Sequence, residues 1–378
     1  MKALKLFLIF TFSVITLKAQ NSFVIKDVRV FDGDTIIDQT SVRVANGRIV
    51  EISEAIILQK KDEIIDGKGK TLIPALSNAH VHAWSPQSLK DAAKAGVLNV
   101  MDMHGVEPYQ TAMRQLKDST DYARYYVAGY AATAPNGHGT QFGFPVPTLT
   151  KPENAVSFVE NRIKANVDYI KIIVEPWKET LSLETVSEII EETHKAKMIA
   201  VVHISRLEDA INVLNKNADG LVHIWWDKPI ETSELETLTK NKSFFVIPTL
   251  LTTLKAFESM GEGSNKFLKK EDLLNEVKKM HDANIPILAG TDPPNLGINY
   301  GTDLYKEMQL LREAGLSNIE VLKTVTSNVA NAFSLKETGF VKEGYLADLI
   351  LIEGDVIEDI NAIMNQKKVW KKGQLLKE

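Results

Sequence analysis

Apolar runs and amphipathic stretches alternate through the middle of the chain. The apolar runs predict buried strands, and the segments between them carry apolar residues at helical spacing. The predicted strands are residues 72–76, 97–103, 125–132, 168–174, 198–204, 219–224, 243–249 and 285–291. Strand–helix alternation is typical of a parallel sheet, and eight such units predict an α/β fold with a (β/α)8 TIM barrel over residues 72–340.

Both ends of the chain show a different, β-type pattern. In residues 20–71 short alternating runs are separated by turn residues, and Asn46-Gly47 between two of them is a strong hairpin signal. Residues 341–378 have the same character, with the apolar run Leu349–Ile352. Because two β-rich ends flank a different middle, we predict that they pair into one small β-sandwich.

Residues 1–19 predict a cleaved signal peptide. Lys2 and Lys5 precede the apolar run Leu6–Leu17, and Ala19 is a small residue at which a signal peptidase would cut. This run is shorter than the roughly 20 residues needed to cross a bilayer. A membrane anchor or a buried first strand is the alternative. The pattern favours export to the periplasm or outside the cell, with no membrane span in the mature form.

Composition narrows the kinds of site and partner. The 378 residues are 44% apolar and 25% charged, with a net charge of −5. The basic residues form no stripe, which argues against a nucleic-acid partner. The chain has no cysteine, so any metal must be held by nitrogen and oxygen ligands, a set that suits zinc or manganese. A small molecule or short peptide is the expected partner, and homo-oligomer formation stays open.

Metal-ligand residue types occur at the ends of the predicted strands, where a TIM barrel has its active site. His80 and His82 follow the first strand, and residues i and i+2 of an extended chain point to the same side. The others are Lys171 in the fourth strand, His203 and His223 at the ends of the fifth and sixth, and Asp292 after the eighth. Six such residues in this order predict a metal site.

This ordered set resembles the amidohydrolase superfamily, in particular its imidazolonepropionase-like branch that includes exported dipeptidases. Further matching pieces are Ile73-Pro74-Ala75-Leu76, Gly290-Thr291-Asp292, Thr326-x-Asn328-x-Ala330, and Gly339-x4-Gly344-x-x-Ala347-Asp348-Leu349. The resemblance covers nearly the whole mature chain, although Ser77-Asn78-Ala79 departs from the usual motif. It implies a TIM barrel, divalent metal ions and a carboxylated Lys171.

Charge gives a separate reason for a lysine among metal ligands. An ammonium group at Lys171 would be repelled strongly by two divalent ions in a poorly solvated site. A neutral amine can instead react with carbon dioxide, and the resulting carbamate anion can bridge both ions. With Asp292 and a bridging hydroxide, the site keeps a small positive charge that can stabilise a tetrahedral oxyanion.

The roles follow from this arrangement. His80, His82 and Asp292 are predicted to hold one ion, His203 and His223 the other, and carboxylated Lys171 to bridge the two. Zinc is the expected metal and manganese the alternative. The hydroxide would attack, and Asp292 would take its proton and pass it to the leaving amine. The predicted reaction is hydrolysis of an amide-type bond, as in a dipeptide or an N-acyl amino acid.

Each of these residues also has a structural alternative. The histidines could be solvated or packed, Lys171 could be ion-paired, and Asp292 could cap a turn. His138 lies in a glycine-flanked loop and is predicted to contact substrate, with a mobile surface loop as its alternative. Functional and packing roles both stay open for His104, Arg206, Trp225 and Trp226.

Two other functions compete with the binuclear hydrolase. One is a mononuclear deaminase or cyclic-amide hydrolase on the same fold. Such relatives usually lack the strand-four lysine and carry an acid just after the strand-five histidine, whereas this chain has Lys171 and continues from His203 as Ile-Ser-Arg. The other is a non-catalytic metal-binding protein, which should have lost ligands, yet none is missing. A count of bound metal ions would separate the first alternative from the main prediction.

Overall fold

A computed structural model describes residues 22–260 and 268–377, so the predicted signal peptide lies outside the described residues. The strands in these ranges are β1 Ser22–Phe31, β2 Ile36–Ala45, β3 Arg48–Ser53, β4 Asp62–Asp66, β5 Lys70–Pro74, β6 Leu76–Val81, β7 Val97–Asp102, β8 Arg124–Val127, β9 Ile170–Ile173, β10 Ala200–His203, β11 Gly220–Val222, β12 Phe245–Ile247, β13 Leu349–Glu353, β14 Lys367–Lys371 and β15 Gln374–Leu375.

The α-helices of the same ranges mostly connect these strands. They are α1 Pro86–Lys94, α2 Glu107–Arg114, α3 Asn154–Lys164, α4 Leu183–Lys195, α5 Leu207–Asn215, α6 Thr232–Asn241, α7 Leu250–Met260, α8 Lys270–Asp282, α9 Asp303–Glu313, α10 Asn318–Thr324 and α11 Ser327–Ala332. None of these described helices combines the length and the apolar character that crossing a membrane requires.

Strands from the two ends of the chain share one eight-stranded sheet. Its order is β15-β14-β13-β5-β1-β2-β3, and β4 pairs with β1. Phe23 of β1 and Trp370 of β14 stack with their ring centroids 5.4 Å apart. Two strands lie between them in the sheet, which would separate them by about 14 Å if the sheet were flat. The sheet therefore folds back over a shared apolar core, as the predicted β-sandwich requires.

The middle of the chain has a TIM-barrel-like α/β fold. Strands β6, β7 and β8 form one parallel sheet, and β9 to β12 form a second. The backbone N–H of Asp168, just before β9, donates to the carbonyl of Val127 in β8 over 2.8 Å and so connects the two sheets. The carboxyl ends of these parallel strands lie at one end of the fold, where the sequence predicts the site.

The prediction of residues 72–76 as the first barrel strand is wrong. Strand β5 pairs with β1 and β13 in the sandwich, and β6 takes the first barrel position. Both strands are buried, and the apolar run of residues 72–76 spans their junction. The domain boundary predicted between residues 71 and 72 falls inside β5, and His80 lies within β6 rather than after the first strand.

Residues 285–291 form no regular strand, in contrast to the prediction. A single bridge joins Ile287 to β12. The backbone N–H of Leu288 nevertheless donates to β12 over 2.9 Å, and the carbonyl of Ala289 accepts from β6 over 2.9 Å. Pro286 has no N–H to donate, which limits regular pairing. This segment still connects the two sheets on the side that carries Asp292.

The other six predicted barrel strands are present but shorter than predicted. The clearest case is residues 125–132, where β8 ends at Val127. Gly129 adopts a φ of +70°, a left-handed conformation that ends the extended chain. The residues beyond this point form the loop that carries His138.

Asp348 of the Ala347-Asp348-Leu349 motif joins the sandwich to the barrel. Its buried carboxylate pairs with Arg124 of β8 and also accepts from the backbone N–H of Lys372 over 2.8 Å. Its backbone carbonyl accepts from Ala75, between β5 and β6, over 2.9 Å. This part of the family-like pattern therefore has a structural role.

Candidate active site

One cavity of about 340 Å³ lies at the carboxyl ends of the barrel strands. Its volume is within the range of small-molecule sites. The seven side chains that the sequence predicts for the site all line it, namely His80, His82, His138, Lys171, His203, His223 and Asp292. The fold thus brings together residues that are separated by as many as 212 positions in the chain.

His80, His82 and Asp292 place three ligand atoms close together. The Oδ1 atom of Asp292 lies 3.2 Å from His80 Nε2 and 3.1 Å from His82 Nε2, and the two nitrogens are 3.3 Å apart. Metal bonds of 2.0–2.1 Å in a tetrahedral site separate ligand atoms by about 3.3–3.4 Å. His82 Nδ1 lies 3.1 Å from the carbonyl of His104, a contact that orients the ring so that Nε2 faces Asp292 and the position an ion would take.

The charges of this group also suit a cation. Burial lowers the pKa of His80 to about 4, so this ring is neutral at pH 7. Burial alone would raise the pKa of Asp292, but His80 and His82 outweigh it and hold that pKa well below its usual value. An ionised carboxylate beside a neutral imidazole is a donor set that attracts a divalent ion. The residues present therefore fit one metal ion.

His203 and His223 form the other side of the predicted metal site. Their ring centroids are 4.5 Å apart, and the ring of His223 lies 5.0 Å from that of His80. Each has one ring nitrogen engaged, since His203 Nε2 lies 3.1 Å from Glu175 and His223 Nδ1 lies 2.6 Å from Thr249. Burial lowers the pKa of both rings well below the usual value. Two neutral imidazoles thus keep their opposite nitrogens for a second ion.

Lys171 lines the cavity together with these two groups. Its side chain is buried, and among the described residues its Nζ atom has no hydrogen-bond acceptor. Burial lowers the pKa of Lys171 to about 7, although the charge of Asp292 opposes the shift. The neutral amine, which is the form that reacts with carbon dioxide, is therefore well populated near neutral pH. An unpaired buried amine fits the predicted carbamate better than a structural ion pair.

The backbone is strained where the site residues lie. His223 and Asp292 have φ values of +68° and +54°, and the β-branched Thr249 has a φ of +46°. Such conformations cost of order 1–3 kcal/mol each and persist only where the surroundings impose them. Asn78, in the segment that departs from the family-like motif, bonds both the side chain and the N–H of Thr291 at 2.7 and 3.2 Å. It holds the chain that presents Asp292.

The loop that carries His138 passes directly over the cavity. The ring of His138 lies 4.9 Å from that of His203. Gly139 has a φ of +100°, and a Cβ atom there would lie only 2.9 Å from Ile173. Its carbonyl is 3.1 Å from His104 Nε2, so His104 anchors this loop as well as supporting His82. His138 is placed where it can contact a substrate.

The other residues whose roles stay open separate into two groups. Arg206 pairs with Asp209 at 2.8 Å at the start of α5 and does not line the cavity. Trp225 is buried, and its Nε1 donates to Glu276 over 2.9 Å. Both are explained by packing. Trp226 does line the cavity.

Glu175 belongs to the site and was missed by the sequence analysis. Its carboxylate contacts His203 Nε2 at 3.1 Å and accepts from Ser205 over 2.9 Å and from the N–H of Trp177 over 3.3 Å. Burial raises its pKa. Glu175 lies four residues after Lys171, just beyond the end of the fourth strand. Ionisable residues at strand ends were the basis for predicting the other site residues, so the same criterion could have identified Glu175.

The Glu175→Gln variant is expected to bind metal about 10–100-fold more weakly at the His203 side. A carboxylate that accepts from a metal-binding imidazole orients the ring and raises its basicity, and the neutral amide loses that charge. Competition with a chromogenic chelator measures the affinity. Ser205→Ala is the matched control, since it removes one hydrogen bond but keeps the carboxylate. Unchanged metal affinity in Glu175→Gln would contradict this role.

Comparison with known proteins places the chain in a family. Residues 71–376 match the model of the amidohydrolase family. The chain is 24% identical to a 5-methylthioadenosine/S-adenosylhomocysteine deaminase of Dictyoglomus turgidum, over 87% of this chain and 84% of that protein. It is 26% identical to the ochratoxinase of Aspergillus niger over 208 residues, 52% of this chain and 42% of that protein.

Solved structures show the same fold. A Xaa-Pro dipeptidase with bound methionine superposes with a TM-score of 0.79 at 20% identity, over 94% of this chain and all of that one. The ochratoxinase of Aspergillus niger gives a TM-score of 0.78 at 19% identity, over 95% and 96% of the two chains. From the family match and these relatives, the chain belongs to the amidohydrolase family and is an enzyme that acts on carbon–nitrogen bonds.

Proposed function

We propose that this enzyme hydrolyses an amide-type carbon–nitrogen bond with two divalent metal ions, zinc or alternatively manganese. The observation that carries the proposal is the convergence of four histidines, Asp292 and the unpaired Lys171 on one cavity. Dipeptides and N-acyl amino acids are the first substrates to test. The proposal includes a closed barrel of eight segments, in which the irregular residues 285–291 take the place of the eighth strand.

Each ion would have its own set of protein ligands. His80, His82 and Asp292 would hold the first ion, and His203 and His223 the second. Lys171, converted to its carbamate by carbon dioxide, would supply an anion to both. Two bound ions supply a water-derived nucleophile at neutral pH and polarise the carbonyl that is attacked.

The chain's own residues would then move the proton. The carboxylate of Asp292, which contacts His80 and His82, would accept a proton from the attacking water. It would return the proton to the leaving nitrogen, because an amine is a poor leaving group until it is protonated. His138 would contact the substrate from the loop above. The surrounding walls would limit the access of bulk water.

A mononuclear deaminase or cyclic-amide hydrolase is the second candidate. Two observations favour keeping it, namely the similarity to a named deaminase and the completeness of the His80/His82/Asp292 group for one ion. Mononuclear relatives usually carry an acid just after the histidine of the fifth strand. In this chain Glu175, which follows the fourth strand, contacts His203 instead. Lys171 favours the binuclear hydrolase.

Product analysis separates these functions. The purified protein, loaded with zinc or manganese, would be incubated with dipeptides, N-acyl amino acids, lactones, cyclic amides and amino-substituted purines. Release of an amine or amino acid from a linear amide, detected by mass spectrometry, supports the proposal. Ammonia from an aminopurine, with no linear amide cleaved, would establish the deaminase instead.

We also propose that the chain is exported and cut near Ala19. The basic start and the short apolar run support this. N-terminal sequencing of the protein from its native host should find Gln20 or a neighbouring residue first. A cytoplasmic protein that keeps Met1 would contradict the proposal.

A further inference from the structure

The cavity has an apolar wall on the side of the second histidine pair. Trp226, which follows His223 by three residues, lines it together with Phe257 and Met260 of α7. The rings of Trp226 and Phe257 lie edge to face at 5.9 Å, and Trp177 stacks on Trp226 at 5.5 Å with an interplanar angle of 6°. We call Trp226, Phe257 and Met260 the α7 wall.

A second aromatic surface lies near His82. The ring of Phe142 lines the cavity and lies 6.4 Å from that of His82 and 5.9 Å from that of His104. Trp84 packs beside it at 6.1 Å. Phe142 thus lies beside His82 of the first histidine pair, whereas the α7 wall contains Trp226, which follows His223 of the second pair by three residues. A substrate with its carbonyl at the metal site would direct one substituent toward each surface.

Apolar side chains are also exposed around the mouth of the cavity. The exposed members that line it are Phe142, Met260 and Leu296. Single exposed apolar residues are ordinary, but three of them at one cavity mouth are typical of a surface that binds an apolar ligand. Aromatic rings contribute large contact areas with little loss of side-chain freedom. The rim therefore extends the two apolar surfaces outward.

In the described part of the cavity, the charged groups lie beside the histidines. Among the described lining residues the charged side chains are Lys171, Glu175 and Asp292. All three have roles beside the histidines, and Arg206 is paired with Asp209 away from the cavity. The described walls therefore present no cation to a substrate carboxylate. A buried carboxylate without a partner would be costly.

We infer that the substrate is an uncharged amide that carries an aromatic ring, with the ring bound against Trp226 and Phe257 of the α7 wall. The inference rests on the proposed function and narrows it, since it places aryl amides ahead of dipeptides and N-acyl amino acids. Phe142 covers the substituent on the other side of the bond. In the described part of the cavity, the apolar walls rather than a charged contact select the substrate.

Three N-methylamides with the same non-aromatic leaving group test this inference on the metal-loaded enzyme, with methylamine release measured by mass spectrometry. The phenylacetyl probe carries an aromatic ring, the acetyl probe carries none, and the succinyl probe has a carboxylate in its place. Burial of a phenyl group should raise kcat/KM for the phenylacetyl probe by about 10–100-fold over the acetyl probe. The succinyl probe should be no better than the acetyl probe.

Substitutions of Trp226 test where the aromatic ring of the substrate binds. Trp226→Ala should bring the phenylacetyl-to-acetyl ratio down to about 3 or less, whereas Trp226→Phe should keep most of the preference. Trp177→Ala is the matched control, because Trp177 stacks on Trp226 but does not line the cavity. Circular dichroism and thermal unfolding would check that each variant is folded. Equal kcat/KM for the phenylacetyl and acetyl probes, a preference for the succinyl probe, or an unchanged ratio in folded Trp226→Ala would overturn the inference.

Failure of the proposed function can be distinguished from failure of this inference. If no probe releases methylamine, the proposed amide hydrolysis is contradicted for these substrates, but binding to the metal-free protein can still be measured by equilibrium dialysis. Tighter binding of the phenylacetyl probe than of the succinyl probe, lost in Trp226→Ala, would support the wall assignment. Equal binding of the two probes would overturn it.

Discussion

Asp292→Asn is expected to lower kcat for amide hydrolysis by about 10²–10⁴-fold, the usual contribution of a general acid–base group. The asparagine keeps the size of the side chain and one ligand oxygen, but it cannot accept a proton. The Oδ1 atom of Asp292 receives contacts from His80, His82 and Asn295 at 2.9–3.2 Å, so the variant side chain is held in the same place. The loss should appear in kcat rather than only in KM, because proton transfer belongs to the transition state.

Two comparisons make this test specific. An ester with a good leaving group should lose less activity than the amide, because its departure needs no proton. Asn295→Ala removes one hydrogen bond to Asp292 but keeps the carboxylate, and it should keep most of the activity. If Asp292→Asn keeps both its metals and near-normal amide turnover, the proton role is wrong and His138 becomes the residue to test.

Lys171→Ala is expected to lose the anion shared by the two ions and to lower activity by about 10²–10³-fold, comparable with the loss of one strong electrostatic stabiliser. The variant also leaves space in a buried site, which a short carboxylic acid can occupy. Acetate or propionate should therefore restore part of the activity. Steady-state kinetics with increasing acetate measures the rescue.

The matched control is Glu175→Gln, which keeps the lysine and should not respond to acetate. Carbamate formation needs the neutral amine, and burial lowers the pKa of Lys171 to about 7. Reconstitution of the metal-free wild type should accordingly be faster with added bicarbonate and faster as the pH rises through 7. An undiminished Lys171→Ala enzyme would show that the carbamate plays no part.

Local patterns predicted those parts of the fold that local chemistry determines. The Asn46-Gly47 turn forms between β2 and β3, because both residues adopt the left-handed conformation that a tight hairpin needs, with φ values of 54° and 76°. The order of His80, His82, Lys171, His203, His223 and Asp292 along the strands predicted which side chains share one cavity. Strand ends meet at one end of a parallel barrel, so chain order is enough to bring them together.

Features that depend on tertiary contacts could not be predicted in the same way. The division between β5 and β6 depends on pairing with β13 and β7, and both strands are buried. The irregular segment 285–291 depends on how closely Gly290 approaches His80, where an added Cβ would lie 2.9 Å from the backbone nitrogen. Which ring nitrogen of a histidine is left for a metal ion depends on hydrogen-bond partners such as Thr249 and Glu175, which are distant in sequence.

The number of metal ions per chain tests the account most directly. The protein would be purified without chelator, reconstituted with zinc or manganese, and analysed by inductively coupled plasma mass spectrometry against the protein concentration. Two separate donor groups around Lys171 predict two ions per chain, and the Lys171→Ala variant should retain fewer unless acetate is added. A firm stoichiometry of one ion per chain in the fully reconstituted wild type would contradict the binuclear mechanism and favour the mononuclear deaminase.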